Sequence, residues 1–448
     1  RPLLLNMGYL ASHMDKVLRF THIEPRIKDV ARIVKTNRAF AEAMDAIDPT
    51  VRGDMLVPWL QRTAMQMVSI PSKGQAGRAA DAIFSYLRVN TGMQIMVGNI
   101  TNTLQQFTGI SIAALKVKPK YLRNALWQYV RQPKDTSALI AEKSPFMDTR
   151  INSYQFEMQR TMDEILLDPN KYDKLRDFAS QHGYFLQQGT QGIVDTLTWI
   201  GAYNQATEQG VSEKDAVRQA DAAVRMTQSS FAAEDASRIE VNSAFVRMFT
   251  HFYNYFNMMA NITGTEFATA IRTMGLKKGA GRLLYVYAAG FMIPAVLSEI
   301  IVQAIGGFDD GDDDEYTLGD AMQLFFGSQA RALTAMAPGL GQVATAAAGR
   351  FTSAFYDDRI STSPAVSTLE SMVSSPFSLY KAIAEDGSWK KAAKDMLTTL
   401  GMLTRLPLGQ LGKPLGYMLD VQQGNAEPES GMDIARGLVS GKDVNRKQ

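Results

Sequence analysis

The sequence contains no cysteine among its 448 residues. Disulfide scaffolds, cysteine-based zinc sites and thiol nucleophiles are therefore all excluded. Histidine is scarce, and none of the four has another histidine three or four positions away, the spacing that a helical metal site needs. The four are His13, His22, His182 and His251. The sequence consequently predicts neither a metal site nor a cofactor.

Motifs for nucleotide binding and catalysis are missing as well. The sequence has no GxxxxGK[ST] phosphate-binding run and no GxSxG nucleophile elbow. The acidic run at residues 309–315 resembles a calcium loop only superficially, because Glu315 and Ala321 stand where that loop needs glycine and glutamate. A lytic enzyme needs only one or two carboxylates in a cleft, but no carboxylate is singled out. We therefore predict no catalytic residue and a non-enzymatic chain.

Neither charge nor hydropathy is extreme. The net charge of +2 gives no global nucleic-acid signature, and a mean hydropathy of −0.14 excludes a chain made mostly of membrane spans. The length is sufficient for two or three domains. The sequence opens with Arg-Pro-Leu and no signal-peptide pattern follows, which predicts a piece of a longer polypeptide.

The periodicity is helical, and no strand-like alternation of useful length is present. We predict an all-α fold, an elongated multi-helix assembly with one or two strongly apolar helices. Changes in composition, together with helix-breaking proline and glycine residues, divide it into five segments. These are an N-terminal helical segment (1–74), a helical segment with a basic-aromatic stretch (75–145), a central helical bundle (146–275), candidate membrane-inserting apolar helices (276–350) and a loop-rich C-terminal region (351–448).

Three local patterns give more detailed predictions. Residues 133–145 are expected to form a polar linker, and residues 91–117 form either two half-helices meeting near Gly109 or an amphipathic interfacial helix. Ser212 followed by Asp215 predicts a helix N-cap of the capping-box kind. The helix that follows should present a narrow face of small residues to a bundle. That face consists of Ala216, Val217, Ala220, Val224 and Thr227.

Residues 283–308 are the longest nearly uncharged apolar run. A helix over residues 283–305 would rise on the order of 35 Å, about the thickness of a hydrocarbon core. Basic residues precede the run and none follows it closely, as the positive-inside rule expects of a spanning segment, and six acidic residues come directly after it. Pro294 should kink the helix, and Glu299 is costly at mid-depth unless it faces protein or water. A membrane-inserting helix and a buried core helix both remain open.

Aromatic and methionine side chains at residues 245–259 repeat at helical spacing, which is typical of a core face. The other interpretation is a self-association or membrane-interface face that leads into the apolar run. On that interpretation the candidate membrane or oligomer contacts are Phe245, Phe249, Phe252, Phe256, Leu283, Tyr285, Phe291, Pro294, Leu297 and Ile301.

Basic residues are interleaved with aromatic ones between residues 116 and 134. This mixture suits a phosphate-lined surface, either the DNA backbone or lipid headgroups. A solvated helix whose aromatic side chains pack inward explains the same pattern without a ligand. The candidate nucleic-acid or headgroup contacts are Lys116, Lys118, Lys120, Arg123, Trp127, Arg131 and Lys134.

Three segments resemble a known class of proteins. They are TQSSFAAEDASRI at residues 227–239, FVRMFTHFYNYFN at 245–257 and GNITNTLQQFTG at 98–109. Together they resemble the internal virion and DNA-ejection proteins of tailed bacteriophages, the large polyvalent virion proteins. The resemblance covers residues 90–270.

The resemblance implies a protein held inside the virion, next to the portal or other ejection proteins. It would be delivered into the host periplasm and inner membrane, and would assemble there as a homo-oligomer. Its role would be structural, helping to form a conduit for genome translocation in contact with the double-stranded DNA backbone and host lipids. Two alternatives remain: a soluble scaffold or portal-binding domain, and a module of a murein-degrading or nucleic-acid-processing enzyme.

Overall fold

The computed structural model describes the greater part of the chain. Its described residues are 19–48, 50–65, 73–148, 150, 185–229, 239–241, 243–250, 253–306, 374–376, 378–380, 389–404 and 408–441, with the single residues 14, 17, 325, 328, 329 and 406. Within these ranges the chain is helical and contains no β-strand, so the predicted all-α class is confirmed. The acidic run at 309–315 lies outside the described residues.

The helices are named in chain order. They are α1 (Glu24–Thr36), α2 (Arg38–Ile47), α3 (Val57–Met65), α4 (Gly74–Met96), α5 (Ile100–Gln105), α6 (Gly109–Ala113), α7 (Pro119–Arg131), α8 (Pro133–Lys143), α9 (Phe185–Glu208), α10 (Glu213–Thr227), α11 (Ala244–Phe249), α12 (Tyr253–Tyr287), α13 (Ile293–Gly306), α14 (Trp389–Thr404), α15 (Gly412–Gln422) and α16 (Gly431–Ser440). Short π turns stand at Arg19–Ile23, Val51–Leu56 and Ala288–Met292, and 3-10 turns at Gln106–Thr108 and Leu408–Leu411.

Two compact units make up the fold. The first comprises Arg1–Asp81 and Ser230–Arg247, and the second comprises Ala82–Ser229 and Met248–Gln448. In the first unit Arg52 ties the π turn before α3 to α2, because its guanidinium donates to both oxygens of Asp45 at 2.7 and 2.9 Å. The candidate sites all lie in the second unit.

The first core of the second unit surrounds α9. Every residue from 194 to 202 is buried, so this helix lies in the middle of the unit. Trp199 is fully buried, and its indole Nε1 donates to Asp221 Oδ1 of α10 at 2.8 Å. Gly201 lets α7 approach closely, since a Cβ there would lie 3.1 Å from Val117 and 3.2 Å from Leu122.

The second core lies on the other side of residues 110–117. Ala113 and Val117 belong to the first core, whereas Ile112 and Leu115 belong to the second. The second core is completed by residues from α12, the π turn and α13. These are Met258, Met259, Ile262, Val286, Ala289, Phe291 and Ala295.

Several sequence predictions are settled by these helices. Ser212 is the N-cap of α10, its hydroxyl accepting the Asp215 N–H, and the predicted small-residue face of α10 packs against α9. Residues 133–143 form α8 instead of a linker, with Thr136 and Ile140 buried one turn apart. Residues 91–117 contain separate short helices, which matches the half-helix alternative. The run 245–259 is divided between α11 and α12.

The described C-terminal helices attach to α4. Tyr86 donates its hydroxyl to the carbonyl of Met402 at 2.8 Å, and Asn90 donates its amide to the same carbonyl at 3.1 Å. The C-terminal end of α14 is therefore held to α4 by polar contacts as well as by packing.

Candidate membrane-associating hairpin and its buried anchor

Residues 253–306 form a helical hairpin, with a first arm at 253–274 and a second arm at 276–306. Gly275 separates the arms at φ 70° and ψ 165°, a conformation that is open essentially to glycine alone. The arms are antiparallel, because Thr263 contacts Gly290 while Ala270 contacts Gly279. The chain thus reverses direction at Gly275.

Glycines allow the two arms to approach closely. A Cβ on Gly290 would lie 2.7 Å from Thr263 Oγ1 and 2.9 Å from Leu115 Cδ1, both too close for an ordinary contact. Any larger residue at position 290 would push the second arm away from the first arm and from residues 110–117.

An ion-pair cluster fixes the hairpin to the turn at residues 114–117. Glu266 of the first arm is 9% exposed, and its two carboxylate oxygens accept from Lys116 and Arg282, each at 2.6 Å. Tyr285 of the second arm donates its hydroxyl to the carbonyl of Ala114 at 2.6 Å. Lys116, a predicted phosphate contact, is therefore engaged inside the protein.

The predicted apolar run lies in the second arm. Phe291 and Pro294 are buried in the second core, Leu283, Tyr285 and Ile301 are half-buried, and Leu297 is 40% exposed. The expected disturbance at Pro294 is present as the π turn Ala288–Met292, since proline has no N–H to continue the α-helical ladder.

The second arm has an open apolar side as well as a buried one. Its exposed large apolar side chains are Leu276, at the start of the arm, and Leu284, Ile293, Leu297 and Ile300 further along, between 38% and 69% exposed. One helical stretch of the described residues, Tyr255–Val302, is long and apolar enough to cross a membrane, and 28% of its most apolar window is buried. Because Gly275 reverses the chain within that stretch, the stretch is not one straight span, and the apolar run predicted from the sequence lies in the second arm.

Beneath the hairpin lies a buried junction of polar groups, formed by Thr108, Gly109, Thr198, Gln228 and Tyr255. The Gln228 amide, 3% exposed, donates to the Gly109 carbonyl at 3.2 Å and to Thr198 Oγ1 at 3.3 Å. The hydroxyls of Thr108 and Tyr255 are 3.0 Å apart. Gly109 must lack a side chain, because a Cβ there would lie 2.7 Å from Gln228 Oε1.

The buried junction brings together the three segments that carry the phage resemblance. Gly109 closes the segment 98–109, Gln228 belongs to 227–239 and Tyr255 belongs to 245–257. Next to it, the guanidinium of Arg150 donates to the fully buried Asp195 at 2.6 Å and to the Ser229 carbonyl at 2.7 Å. Sequence reasoning noted the segments separately but did not predict that they meet.

The predicted basic-aromatic stretch falls into two groups, residues that contact α9 and residues that are exposed on α7. Lys120 pairs with Glu208 at 2.8 Å, and this hydrogen bond raises the pKa of Lys120 and lowers the pKa of Glu208. The Lys118 N–H donates to Gln205, and Tyr121 is buried in the first core. Lys120, Tyr121 and the backbone of Lys118 therefore help to hold α7 to α9, whereas the Lys118 side chain is exposed.

The open side of α7 carries the rest of that stretch. Trp127 is 56% exposed, and the Arg131 guanidinium lies 5.7 Å from the centre of its ring. Arg123, Leu126 and Val130 are exposed on the same side at helical spacing, and Lys134 is exposed at the start of α8. We call Arg123, Leu126, Trp127, Val130 and Arg131 the α7 surface.

Other predicted contacts have less structural detail. Phe256 packs partly buried against the second core, whereas the side chains of Phe245, Phe249 and Phe252 lie outside the described residues. Among the residues that the structure describes, no three His, Asp or Glu side chains come together as a metal site would require.

Comparison with known proteins gives no family. No family model, no curated protein and no solved structure matches this chain.

Proposed function

We propose that this chain is a non-enzymatic structural component of a phage DNA-ejection apparatus, and that it associates with the host membrane through the helical hairpin. The observation that carries the proposal is the open apolar side of the second arm. Ile293, Leu297 and Ile300 recur there three and four positions apart and are exposed on one side of the helix, and Leu284 is exposed earlier in the same arm. Other side chains of the arm are buried in the second core, namely Val286, Ala289, Phe291 and Ala295.

The open side is large enough to bind lipid without unfolding the protein. Full burial of one large aliphatic side chain contributes about 1.5–3 kcal/mol, so completing the burial of these four exposed side chains contributes about 4 kcal/mol. That free energy corresponds to a partition preference of roughly a thousandfold. The hairpin is therefore suited to binding at a bilayer surface through the exposed side chains of its second arm. We propose that the second arm inserts from that position.

The α7 surface supports the same proposal. Leu126, Trp127 and Val130 place apolar atoms between Arg123 and Arg131, and tryptophan is favoured at the depth of lipid headgroups. A DNA backbone would neutralise the two arginines but leave the aliphatic side chains in water. Of the two phosphate sources that the sequence leaves open, this composition favours headgroups.

The link to phage ejection proteins comes from the resemblance, and the buried junction supports it. Gln228 of the second segment bonds to Gly109 of the first, and Tyr255 of the third bonds to the adjacent Thr108, so one residue from each segment lies at the same place. In the fold they meet where the hairpin joins α6, α9 and α10. We propose that homo-oligomers of this unit, with portal or other ejection proteins, line the path of the DNA.

A single fluorescent label tests membrane association. The natural sequence has no cysteine, so Leu297→Cys can be labelled uniquely with a polarity-sensitive fluorophore. Adding lipid vesicles should shift its emission to shorter wavelengths and raise its intensity. The matched control is Gln219→Cys, an exposed position on α10, whose emission should not change.

If both labels are unaffected by vesicles, the second arm stays in the protein core. The soluble scaffold, an alternative from the sequence, would then replace the membrane proposal. If both labels respond equally, the protein adsorbs without using the hairpin, and the assignment to the second arm is wrong.

A further inference from the structure

We infer that the tip of the hairpin, residues 271–278, is the element that docks on an anionic lipid surface. This inference rests on the proposed membrane association and adds to it the first point of contact and the headgroup charge. The tip is the turn between the arms around Gly275, and all eight of its residues are exposed.

Apolar side chains at the tip face solvent. Ile271 is 42% exposed, Met274 is 50% exposed and Leu276 is 67% exposed. They flank Gly275 within six positions, so the turn presents them together at the end of the hairpin. Such a group of exposed apolar side chains on a turn is suited to entering the headgroup region of a bilayer.

The charge at the tip is entirely positive. Arg272, Lys277 and Lys278 are exposed, and none of them forms an ion pair with the described part of the chain. The sequence has no Asp or Glu between Glu266 and Glu299. Glu266 itself is already paired with Lys116 and Arg282, and no carboxylate among the described residues forms an ion pair with the three cations.

The combination of charge and exposed apolar area selects the partner. A nucleic acid would neutralise Arg272, Lys277 and Lys278 but would gain nothing from Leu276 and Met274. An anionic bilayer interacts favourably with both the cationic and the apolar side chains of the tip, because its surface attracts the cations while its interior accepts the aliphatic side chains. The glycine turn keeps the two kinds of side chain within one short segment.

Vesicle binding with tip variants tests the inference. The full chain would be titrated with vesicles of phosphatidylcholine alone and of phosphatidylcholine mixed with phosphatidylglycerol, and bound protein measured by co-sedimentation. The first variant is Lys277→Gln/Lys278→Gln and the second is Leu276→Ser. A control with the same charge change is Lys35→Gln/Lys214→Gln, at exposed lysines on α1 and α10.

The natural protein should bind the anionic vesicles much more tightly than the neutral ones, and added salt should weaken that binding. Each basic residue near an anionic surface strengthens binding about fivefold, so the double lysine variant should bind about 30-fold more weakly. Leu276→Ser should weaken binding too, and the control should bind like the natural protein. Circular dichroism should show unchanged helix content in every variant.

Two results overturn the inference in different ways. If the natural protein binds anionic vesicles and the tip variants bind equally well, or if neutral vesicles bind as tightly as anionic ones, the tip is not the docking element while membrane association stands. If the natural protein binds no vesicle of either composition, the proposed function falls together with the inference.

Discussion

Gln228 shows how one residue connects distant parts of the chain. Replacing it with alanine leaves the buried Gly109 carbonyl without its side-chain donor, which should lower the free energy of unfolding by about 1–3 kcal/mol. Urea denaturation followed by circular dichroism measures the change. Gln219→Ala, at an exposed position on the neighbouring α10, should change stability by less than about 0.5 kcal/mol. Equal effects would mean that the buried junction is not a stabilising network.

Lys413 is a half-buried lysine near the start of α15. Burial lowers the pKa of its ammonium group, and the nearby charge of Lys394 lowers it further. It also lies in the first turn of α15, where the helix dipole disfavours a cation. Since the folded pKa is below the unfolded value, the cost is full below the folded pKa. It then declines as the pH rises from the folded pKa to the unfolded value, where it vanishes.

Lys413→Met should therefore make the protein more stable at neutral pH, because methionine retains the apolar stem without the charge. The gain over the natural protein should shrink as the pH approaches the ordinary lysine value of 10.5. Urea titrations at several pH values provide the measurement. A gain for Lys413→Met that does not change with pH would contradict this explanation.

At the scale of single residues, the sequence predicted the contacts between residues that lie close together along the chain. Ser212 and Asp215 are three positions apart, so their cap could be predicted and is confirmed. Gln228 and Gly109 are 119 positions apart, and no local rule links a glutamine to a distant backbone carbonyl. A glycine beside Thr108 was visible, but the side chain that excludes a Cβ there was not.

At the scale of elements, Gly275 defines the hairpin. Gly275→Ala should lower the free energy of unfolding by about 1–3 kcal/mol, since φ 70° with ψ 165° is essentially a glycine conformation. Gly281→Ala is the control in the same helix, where φ is ordinary and the added Cβ meets open space. That change should instead stabilise by about 0.5–1 kcal/mol, because alanine is the better helix former. The same urea titration compares the two variants. If both changed the free energy of unfolding in the same direction, the glycine conformation assigned to position 275 would be wrong.

The linker prediction for residues 133–145 failed for a physical reason. Its polar composition suggested a loop, but Pro133 stands at the first helical position, where proline is favoured. Thr136 and Ile140, one turn apart, are then enough to bury one side of α8. A polar composition alone does not indicate a loop, because a short helix can be held in the fold by two buried side chains on one of its sides.

The hairpin turn was also missed, although its signal was present in the sequence. The kink was expected at Pro294, which the structure accommodates with a π turn inside a continuing arm. The true reversal occurs at Gly275, between two exposed apolar residues and next to a lysine pair. A glycine among exposed residues can lie inside a helix or in a turn. Only the packing of the two arms against each other determines which of these Gly275 occupies.

For the whole molecule, the central question is whether the apolar second arm contacts lipid. Composition could not answer it, because a core helix and a membrane helix use the same residues. The fold gives that arm one buried and one open side, and it places three cations at the tip of the hairpin. These are the features on which we base the proposal that the hairpin associates with a membrane.

The most direct measurement is flotation of the unmodified chain with vesicles containing phosphatidylglycerol in a density gradient. Our account predicts that the protein rises with the vesicles and that its helical circular dichroism spectrum is retained. A folded protein that stays at the bottom of the gradient with every vesicle composition would contradict membrane association, and the second arm would then be an ordinary core helix with an open side.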